Sequence, residues 1–332
     1  MNCYASLNTL LIGENNGTIK INRFFRVVCC VQSVARRKSV KTSSMATSMR
    51  KIARGLCLVL LSLYNAEGAL KIQDLTHTFD NTTLHWPTIA VSNRFRFTQK
   101  ITAGSGATYY GMNFFSAAEH GGTHMDAPSH FVQGKMSADQ VPLSKLIGKV
   151  AVIDVTAESK NNSDYLIGPP DFQRYEKKHG RIPDESIILL NTGFGKFWPN
   201  AALYFGTATN NTDLLHFPGL DPSGATWLLN NRKIKSIGID TASIDYGQSK
   251  DYQSHRILFA QNVPAFENVA NLDKVPAKGA MVYALPMKIG EGTGGPLRIV
   301  ATWDDNQTSA GPILSCSLAI LLLAIMSTFI VI

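Results

Sequence analysis

Short apolar runs occur at intervals between residues 148 and 302, and their length and residue types predict buried strands. Each run has four to eight residues, is rich in Val, Ile and Leu, and lacks the polar alternation of a half-exposed strand. Strands that are covered on both faces have this continuous apolar character. The sequence therefore predicts five buried strands, at residues 148–155, 187–190, 234–239, 281–285 and 297–302.

Helices are predicted between these strands from their end signals. Residues 170–179 are followed by Gly180, a residue typical of helix C-termini. A second helix is predicted from Asp221 and Pro222 to Asn231, because Asp caps free N–H groups and Pro suits the first turn. Residues 69–306 contain no repeat or low-complexity linker, so we expect one α/β domain there.

Segments on either side of this domain predict a secretory route. Residues 49–68 combine a basic start, a short apolar run and small residues before Gly68, the pattern of a signal peptide, with a buried or membrane helix as the alternative. We interpret residues 1–48 as an upstream segment produced by the gene model, with the true start at Met45 or Met49.

The C-terminal segment, residues 307–332, contains a long uncharged apolar stretch. This is typical of a GPI signal or a membrane anchor, and a soluble product is the third alternative. The N-x-S/T sequons agree with secretion, so the expected location is extracellular or at the cell surface. The sequons within residues 69–306 are Asn81, Asn161, Asn210 and Asn306.

The formal net charge of +8 is concentrated at one end of the 332-residue chain. Ten of the 32 Lys and Arg residues but only two of the 24 acidic residues fall within residues 1–68, which leaves 22 of each sign afterwards. The domain is formally neutral, so its charge predicts no nucleic-acid partner. None of the five cysteines lies between Leu58 and Ser315, which excludes an internal disulfide or a thiolate metal site there.

Residues 120–131 contain the densest group of candidate metal ligands. Paired glycines and Pro128 disfavour a helix, and in an extended chain His120, His124 and Asp126 would share one face. Imidazole and carboxylate ligands suit Zn²⁺ or Mn²⁺. His130 follows the proline, and its position alone allows a ligand, a general acid/base or a solvated loop residue.

A second polar pair, His255 and Glu267, lies in an otherwise apolar stretch. A buried carboxylate without a partner is costly, so Glu267 needs a compensating positive charge. A metal ion would supply that charge, and so would an arginine. The residues alone leave both alternatives open.

The twelve residues 120–131 match the pattern H-x-G-T-H-x-D-x-P-x-H-F throughout. In this they resemble the cyclase-like metal-dependent hydrolases, a family that includes bacterial-type kynurenine formamidase and isatin hydrolase. The resemblance extends over most of residues 70–303. It is carried further by the segments 74–77, 85–87, 190–193, 216–220, 238–241, 255–272 and 294–298.

The resemblance implies a metal centre with one or two ions of Zn²⁺ or Mn²⁺. It assigns His120, His124 and Asp126 to a first ion. It assigns Asp126, His255 and Glu267 to a second ion, with Asp126 and Glu267 shared between the two.

The resemblance also implies roles around the centre. It makes His130 the catalytic acid/base and Trp86 a residue that lines the substrate pocket, for which ordinary core packing is the alternative. The implied fold is a single domain of the swivelling β/β/α type with a mixed sheet, usually as a homo-oligomer.

The expected activity is metal-dependent hydrolysis of a small aryl amide. N-formyl-L-kynurenine, cleaved to L-kynurenine and formate in tryptophan catabolism, is the first substrate that the resemblance suggests. An isatin-type cyclic amide is the alternative. A cell-surface protein that binds a ligand without catalysis is the alternative from another class.

Overall fold

A computed structural model of the chain describes residues 4–15, 18–28 and 70–304. The predicted signal peptide at 49–68 and the tail at 307–332 lie outside these residues, as does part of the upstream segment 1–48. Among the helices that the structure describes, none has both the length and the apolar character that a bilayer crossing requires.

Three of the four sequons fall within the described residues. Asn81, Asn161 and Asn210 are all exposed, as attachment of a glycan requires, and Asn306 is not described. The secretory location stays a prediction.

The described residues form fourteen strands and six α-helices. The strands are β1 (Tyr4–Asn15), β2 (Thr18–Val28), β3 (Leu70–Asp74), β4 (Arg96–Ala103), β5 (Tyr110–Ser116), β6 (His124–Asp126), β7 (Ile147–Asp154), β8 (Leu166–Ile167), β9 (Ile187–Asn191), β10 (Gly219–Leu220), β11 (Ser236–Ile239), β12 (Ala265–Glu267), β13 (Met281–Pro286) and β14 (Gly294–Asp304). The α-helices are α1 (Leu143–Leu146), α2 (Thr156–Asn161), α3 (Pro169–His179), α4 (Ala201–Phe205), α5 (Pro222–Arg232) and α6 (Gln253–Phe259).

Seven strands close into a barrel-like mixed sheet, in the order β14-β13-β7-β9-β11-β12-β6 and back to β14. The pairs β7–β9, β9–β11 and β11–β12 are parallel, and the other pairs are antiparallel. β14 closes the sheet, because its first three residues pair with β6 and the following residues pair with β13. The closed sheet thereby fixes β6 between β12 and β14.

Apolar side chains pack on both sides of this sheet. Along β7, Val150 and Val152 join one buried cluster with residues of β13 and β14. Ala151 and Ile153 join a second cluster with residues of α3, α5 and α6. Because both faces are buried, the strands read as continuous apolar runs, which explains why the sequence revealed them.

The predicted elements agree with the structure to within a few residues. All five predicted strands are present, as β7, β9, β11, β13 and β14. α3 begins at Pro169, and Gly180 follows it with a φ of 87°. The Asp221 side chain accepts a hydrogen bond from the Ser223 N–H at the start of α5, as a capping residue does. The predicted single α/β domain with a mixed sheet is confirmed.

The sequence did not predict the short strand β12 or the helix α6, whereas β6 lies within the stretch 120–126 that was expected to be extended. Each of the two missed elements has seven residues or fewer. Such short segments carry too little periodicity to be recognised before their neighbours are known.

A close backbone approach at Gly219 gives a test of this fold. A Cβ atom at this position would overlap the backbone of Asp245 and Tyr246, so Gly219→Ala must displace the 240–247 loop. We expect the free energy of unfolding to fall by about 1–3 kcal/mol, measured by urea denaturation. Gly290→Ala is the matched control, since a Cβ there meets no atom within 4 Å, and its unfolding free energy should change by less than about 0.5 kcal/mol. Equal stability of the two variants would contradict the described packing.

Candidate metal-dependent active site

The candidate site lies on the helix-covered face of the closed sheet. Met125 and Phe266 point into the cluster that packs against β13 and β14. Their neighbours along β6 and β12 point to the opposite face, because side chains alternate along a strand. His124, Asp126 and Glu267 therefore share that face, and Glu267 stands directly opposite His124 in the antiparallel pair.

His120 reaches the same place by a different route. The chain bends at Gly122, which has a φ of 59°, so the expected extended stretch from 120 to 126 is wrong at this point. Only His124 and Asp126 share a strand face. The left-handed backbone at Gly122 turns His120 back toward Asp126, and glycine adopts that conformation without strain.

His255 lies on the helix α6. The Asp245 carboxylate accepts hydrogen bonds from the Ser254 N–H at 3.1 Å and the His255 N–H at 3.2 Å, which holds the first turn of this helix. The structure thus brings together all five side chains that the sequence analysis proposed as ligands. Whether they bind a metal stays a prediction.

The Asp126 carboxylate stands between two groups of potential ligands. Its Oδ1 atom lies 2.7 Å from His120 Nδ1 and 3.0 Å from His124 Nε2. Its Oδ2 atom lies 3.3 Å from His255 Nε2, which is 3.0 Å from Glu267 Oε1. Within each group the ligand atoms lie within 4.8 Å of one another, a spacing that one ion can span.

The outer nitrogens of two histidines are held by acceptors. His124 Nδ1–H donates to the Gly122 carbonyl at 3.0 Å, and His255 Nδ1–H donates to Asp245 Oδ2 at 2.6 Å. Both rings therefore present the Nε2 lone pair to the centre. This is the arrangement by which proteins orient metal-binding imidazoles.

Two buried carboxylates give the centre an excess of negative charge. Burial and the charge of Asp126 raise the pKa of Glu267 above its ordinary value. Burial also acts to raise the pKa of Asp126, but the surrounding imidazoles hold that pKa well below its ordinary value. Burial acts to lower the pKa of His255, yet hydrogen bonds to carboxylates raise it well above the usual histidine value.

The directions of these pKa shifts show that burial disfavours the charged carboxylates and that neighbouring positive charge favours them. A divalent cation supplies that charge. Three imidazoles and two carboxylates form a donor set that suits Zn²⁺ or Mn²⁺, so the residues fit the expected metal.

A pocket of about 290 Å³ opens over the centre. Its walls are mainly apolar and aromatic, and none of the residues that line it is a lysine or an arginine. Trp86 lies in this wall, with its ring edge-on to Phe217 at 6.3 Å and to Tyr252 at 6.4 Å between centroids. The remaining apolar wall residues are Leu84, Ile89, Phe131, Phe205 and Ala242.

His130 stands at the edge of this pocket, at the end of the 3₁₀ helix Pro128–His130. Its ring stacks on His120, with centroids 3.9 Å apart and planes inclined by 22°. Partial burial lowers the pKa of His130 to about 4, and the Asp126 carboxylate offsets only part of that effect. The ring is therefore neutral at pH 7 and can accept a proton.

Among the residues that contact the centre or its pocket, Asp245 and Tyr252 are two that were not proposed from the sequence. Asp245 supports His255, and Tyr252 contributes an aromatic wall. The segment after β11 holds two acidic residues, Asp240 and Asp245, within residues 240–247, and both are buried in the structure. The sequence does not show which donors either carboxylate meets.

The fold and the site together define a metal-dependent hydrolase. The Cyclase family model matches residues 73–246. The chain belongs to this family.

Individual relatives agree with this assignment. The isatin hydrolase of Roseibium aggregatum is 32% identical over 205 residues, which cover 59% of this chain and 76% of that protein. A kynurenine formamidase of Salinibacter ruber is 27% identical over 185 residues, which cover 54% and 74% respectively. The structure of isatin hydrolase A from Labrenzia aggregata, bound to benzyl benzoate, superposes with a TM-score of 0.63 at 30% identity, covering 78% of this chain and all of that one.

Proposed function

We propose that the protein hydrolyses an uncharged aryl amide and that an isatin-type cyclic amide is its preferred substrate class. The observation that carries this proposal is the pocket wall, which is aromatic and lacks lysine and arginine among its described residues. Aromatic walls suit a flat aryl ring. The similarity to isatin hydrolases supports the same choice.

N-formyl-L-kynurenine, the substrate first expected from the sequence, is the second candidate because kynurenine formamidases are also relatives. Its amino-acid end carries a carboxylate, which would enter this pocket without a cationic partner. A charge that is desolvated without a partner weakens binding. The pocket therefore favours the neutral cyclic amide.

In the proposed reaction His120, His124, Asp126, His255 and Glu267 hold the metal. These residues would place a bound divalent ion where it could lower the pKa of a water molecule and polarise the scissile carbonyl. The neutral His130 ring takes a proton from the attacking water and returns it to the nitrogen as the C–N bond breaks. Trp86 and Tyr252 flank the aryl ring and keep bulk water away from it.

A substrate panel tests the proposal. Protein whose metal content is known from elemental analysis is assayed with isatin, N-formyl-L-kynurenine and formanilide, which is an uncharged acyclic formamide. We expect kcat/KM for isatin to exceed that for N-formyl-L-kynurenine by at least about tenfold, or about 1.4 kcal/mol. Preference for N-formyl-L-kynurenine would reverse the choice of substrate. Metal-loaded protein that turns over none of the three would contradict aryl-amide hydrolysis.

Replacing His130 separates proton transfer from metal binding. We expect His130→Ala to retain its metal by elemental analysis and to lose about 10²–10⁴-fold in kcat, because it removes the group that moves the proton. His216→Ala is the matched control, since His216 pairs with Asp164 outside the pocket lining. Unchanged turnover in His130→Ala would reject the proposed role.

We also propose that the protein forms a homodimer through the hairpin of β4 and β5. Cross-strand pairs place Ile101 beside Met112 and Ala103 beside Tyr110 on one face. The large apolar side chains of the hairpin region are substantially exposed, and a two-stranded hairpin is marginally stable alone. These side chains are Phe97 at 45%, Tyr109 at 63%, Tyr110 at 54%, Met112 at 38%, Phe114 at 44% and Phe115 at 51% exposure.

We propose that a second copy of the chain packs against this face of the hairpin and buries its apolar side chains. Each of these side chains leaves roughly 100 Å² uncovered, since a large aromatic side chain buries about 150–250 Å² when fully covered. Tyr110, Met112 and Phe114 alternate onto one face of the hairpin, whereas Phe115 points to the other. A twofold contact through that face would bury about 600 Å² of apolar side chain, which would form the centre of an interface with a polar rim.

Light scattering coupled to size exclusion tests the dimer. We expect the wild-type protein to elute as a dimer and Phe114→Lys to elute as a folded monomer, because a lysine cannot be buried there without a partner. Leu214→Lys is the control, as Leu214 is 47% exposed and lies outside the hairpin. A monomeric wild-type protein, or a Phe114→Lys variant that stays dimeric, would contradict the proposal.

A further inference from the structure

His120 is held differently from the other two histidines of the centre. His124 and His255 present Nε2 to the carboxylates and use Nδ1 as the outer nitrogen. His120 does the reverse. Its Nδ1 atom lies 2.7 Å from Asp126 Oδ1, and its Nε2 atom lies 2.9 Å from the hydroxyl of Thr293.

The Thr293 hydroxyl also forms a hydrogen bond with a second residue, Glu119. Its Oγ1 atom donates to Glu119 Oε2 at 2.7 Å, and the Thr293 backbone N–H donates to the same oxygen at 3.0 Å. A hydroxyl has one hydrogen, which here goes to the carboxylate. Toward His120 it can then only accept, so the His120 Nε2 atom carries the proton and Nδ1 keeps its lone pair.

The loop that carries Thr293 is anchored on both sides of this contact. The Thr293 carbonyl accepts from the Ala127 N–H at 2.8 Å, next to Asp126 in the chain. Gly294 packs so closely that a Cβ atom would overlap the Met125 carbonyl and the His120 ring. The hydroxyl is thereby fixed relative to β6 and to the imidazole.

From this geometry we propose that Glu119 and Thr293 are positioning residues, which set the tautomer and orientation of His120 so that Nδ1 binds the divalent cation. The chain from carboxylate to hydroxyl to imidazole does for His120 what Asp245 does directly for His255. This inference rests on the proposed metal centre. It adds a role for two residues outside the ligand set.

Glu119, which supports His120 through Thr293, is more accessible to solvent than Asp245, which supports His255. Its side chain is 32% exposed, whereas that of Asp245 is 3% exposed. A partner that solvent can reach holds its hydrogen bond less firmly than a buried one. We therefore expect the group of His120, His124 and Asp126 to release its ion more readily than the group that contains His255.

The test measures Zn²⁺ affinity by titrating the Zn²⁺-loaded protein with a chelator. Thr293→Val keeps the shape of the side chain and removes the hydroxyl, and Glu119→Ala removes the acceptor of the hydroxyl hydrogen. We expect both variants to bind the more weakly held Zn²⁺ about 10–100-fold less tightly. Thr293→Ser restores the hydroxyl and should recover most of that loss.

Asp139→Asn is the matched control for the loop. Asp139 accepts from the Glu291 N–H at 3.0 Å, so it anchors the same loop without a recorded contact to His120. Its affinity for Zn²⁺ should stay within about twofold of wild type. Wild-type affinity in Thr293→Val, no recovery in Thr293→Ser, or an equal loss in Asp139→Asn would each overturn the inference.

A spectroscopic measurement separates this inference from the proposed function. Nitrogen NMR of ¹⁵N-histidine-labelled, Zn²⁺-loaded protein should show one imidazole coordinated through Nδ1 and two through Nε2. Coordination of all three through Nε2 would overturn the role of Thr293 while leaving the metal centre intact. Failure of the wild-type protein to bind Zn²⁺ or Mn²⁺ would instead contradict the proposed function itself.

Discussion

The structure of the site depends on one buried carboxylate that serves two groups of ligands. Asp126 directs one oxygen to His120 and His124 and the other to His255. A second carboxylate, Glu267, lies close enough for the charge of Asp126 to raise its pKa. Two like charges in a buried centre require compensation, which explains why three imidazoles converge here and why the donor set suits a divalent cation.

The closed sheet is what makes this convergence possible. β6 has only three residues, yet it pairs with β12 on one side and with β14 on the other. Its position is therefore fixed by hydrogen bonds on both edges. The rigid strand carries two ligands, its neighbour carries a third, and the loop before β14 supports a fourth through Thr293. Such support from rigid elements keeps ligands in productive geometry.

The electrostatics of the pocket divide into two regions. The floor is rich in carboxylates and imidazoles, whereas the wall is aromatic and free of lysine and arginine among the described residues. The floor suits the chemistry of amide hydrolysis in general. The wall selects among amides, because it offers apolar surface to an aryl ring and neither a lysine nor an arginine to a carboxylate. His130 lies where the two regions meet.

The sequence by itself determined the buried strands and two helices, because apolar runs and end signals are local properties. It also named the five convergent side chains, because the spacing at residues 120–131 suggested three of them and the family resemblance added His255 and Glu267. The tertiary structure decided the features that a local sequence pattern does not determine. Three features depend on how segments of the chain pack together. They are the bend at Gly122, the exposed hairpin and the contact from His120 to Thr293, which spans 173 residues. His120 and Thr293 meet because the closed sheet brings β6 beside β14, whereas a window of sequence contains only neighbours along the chain.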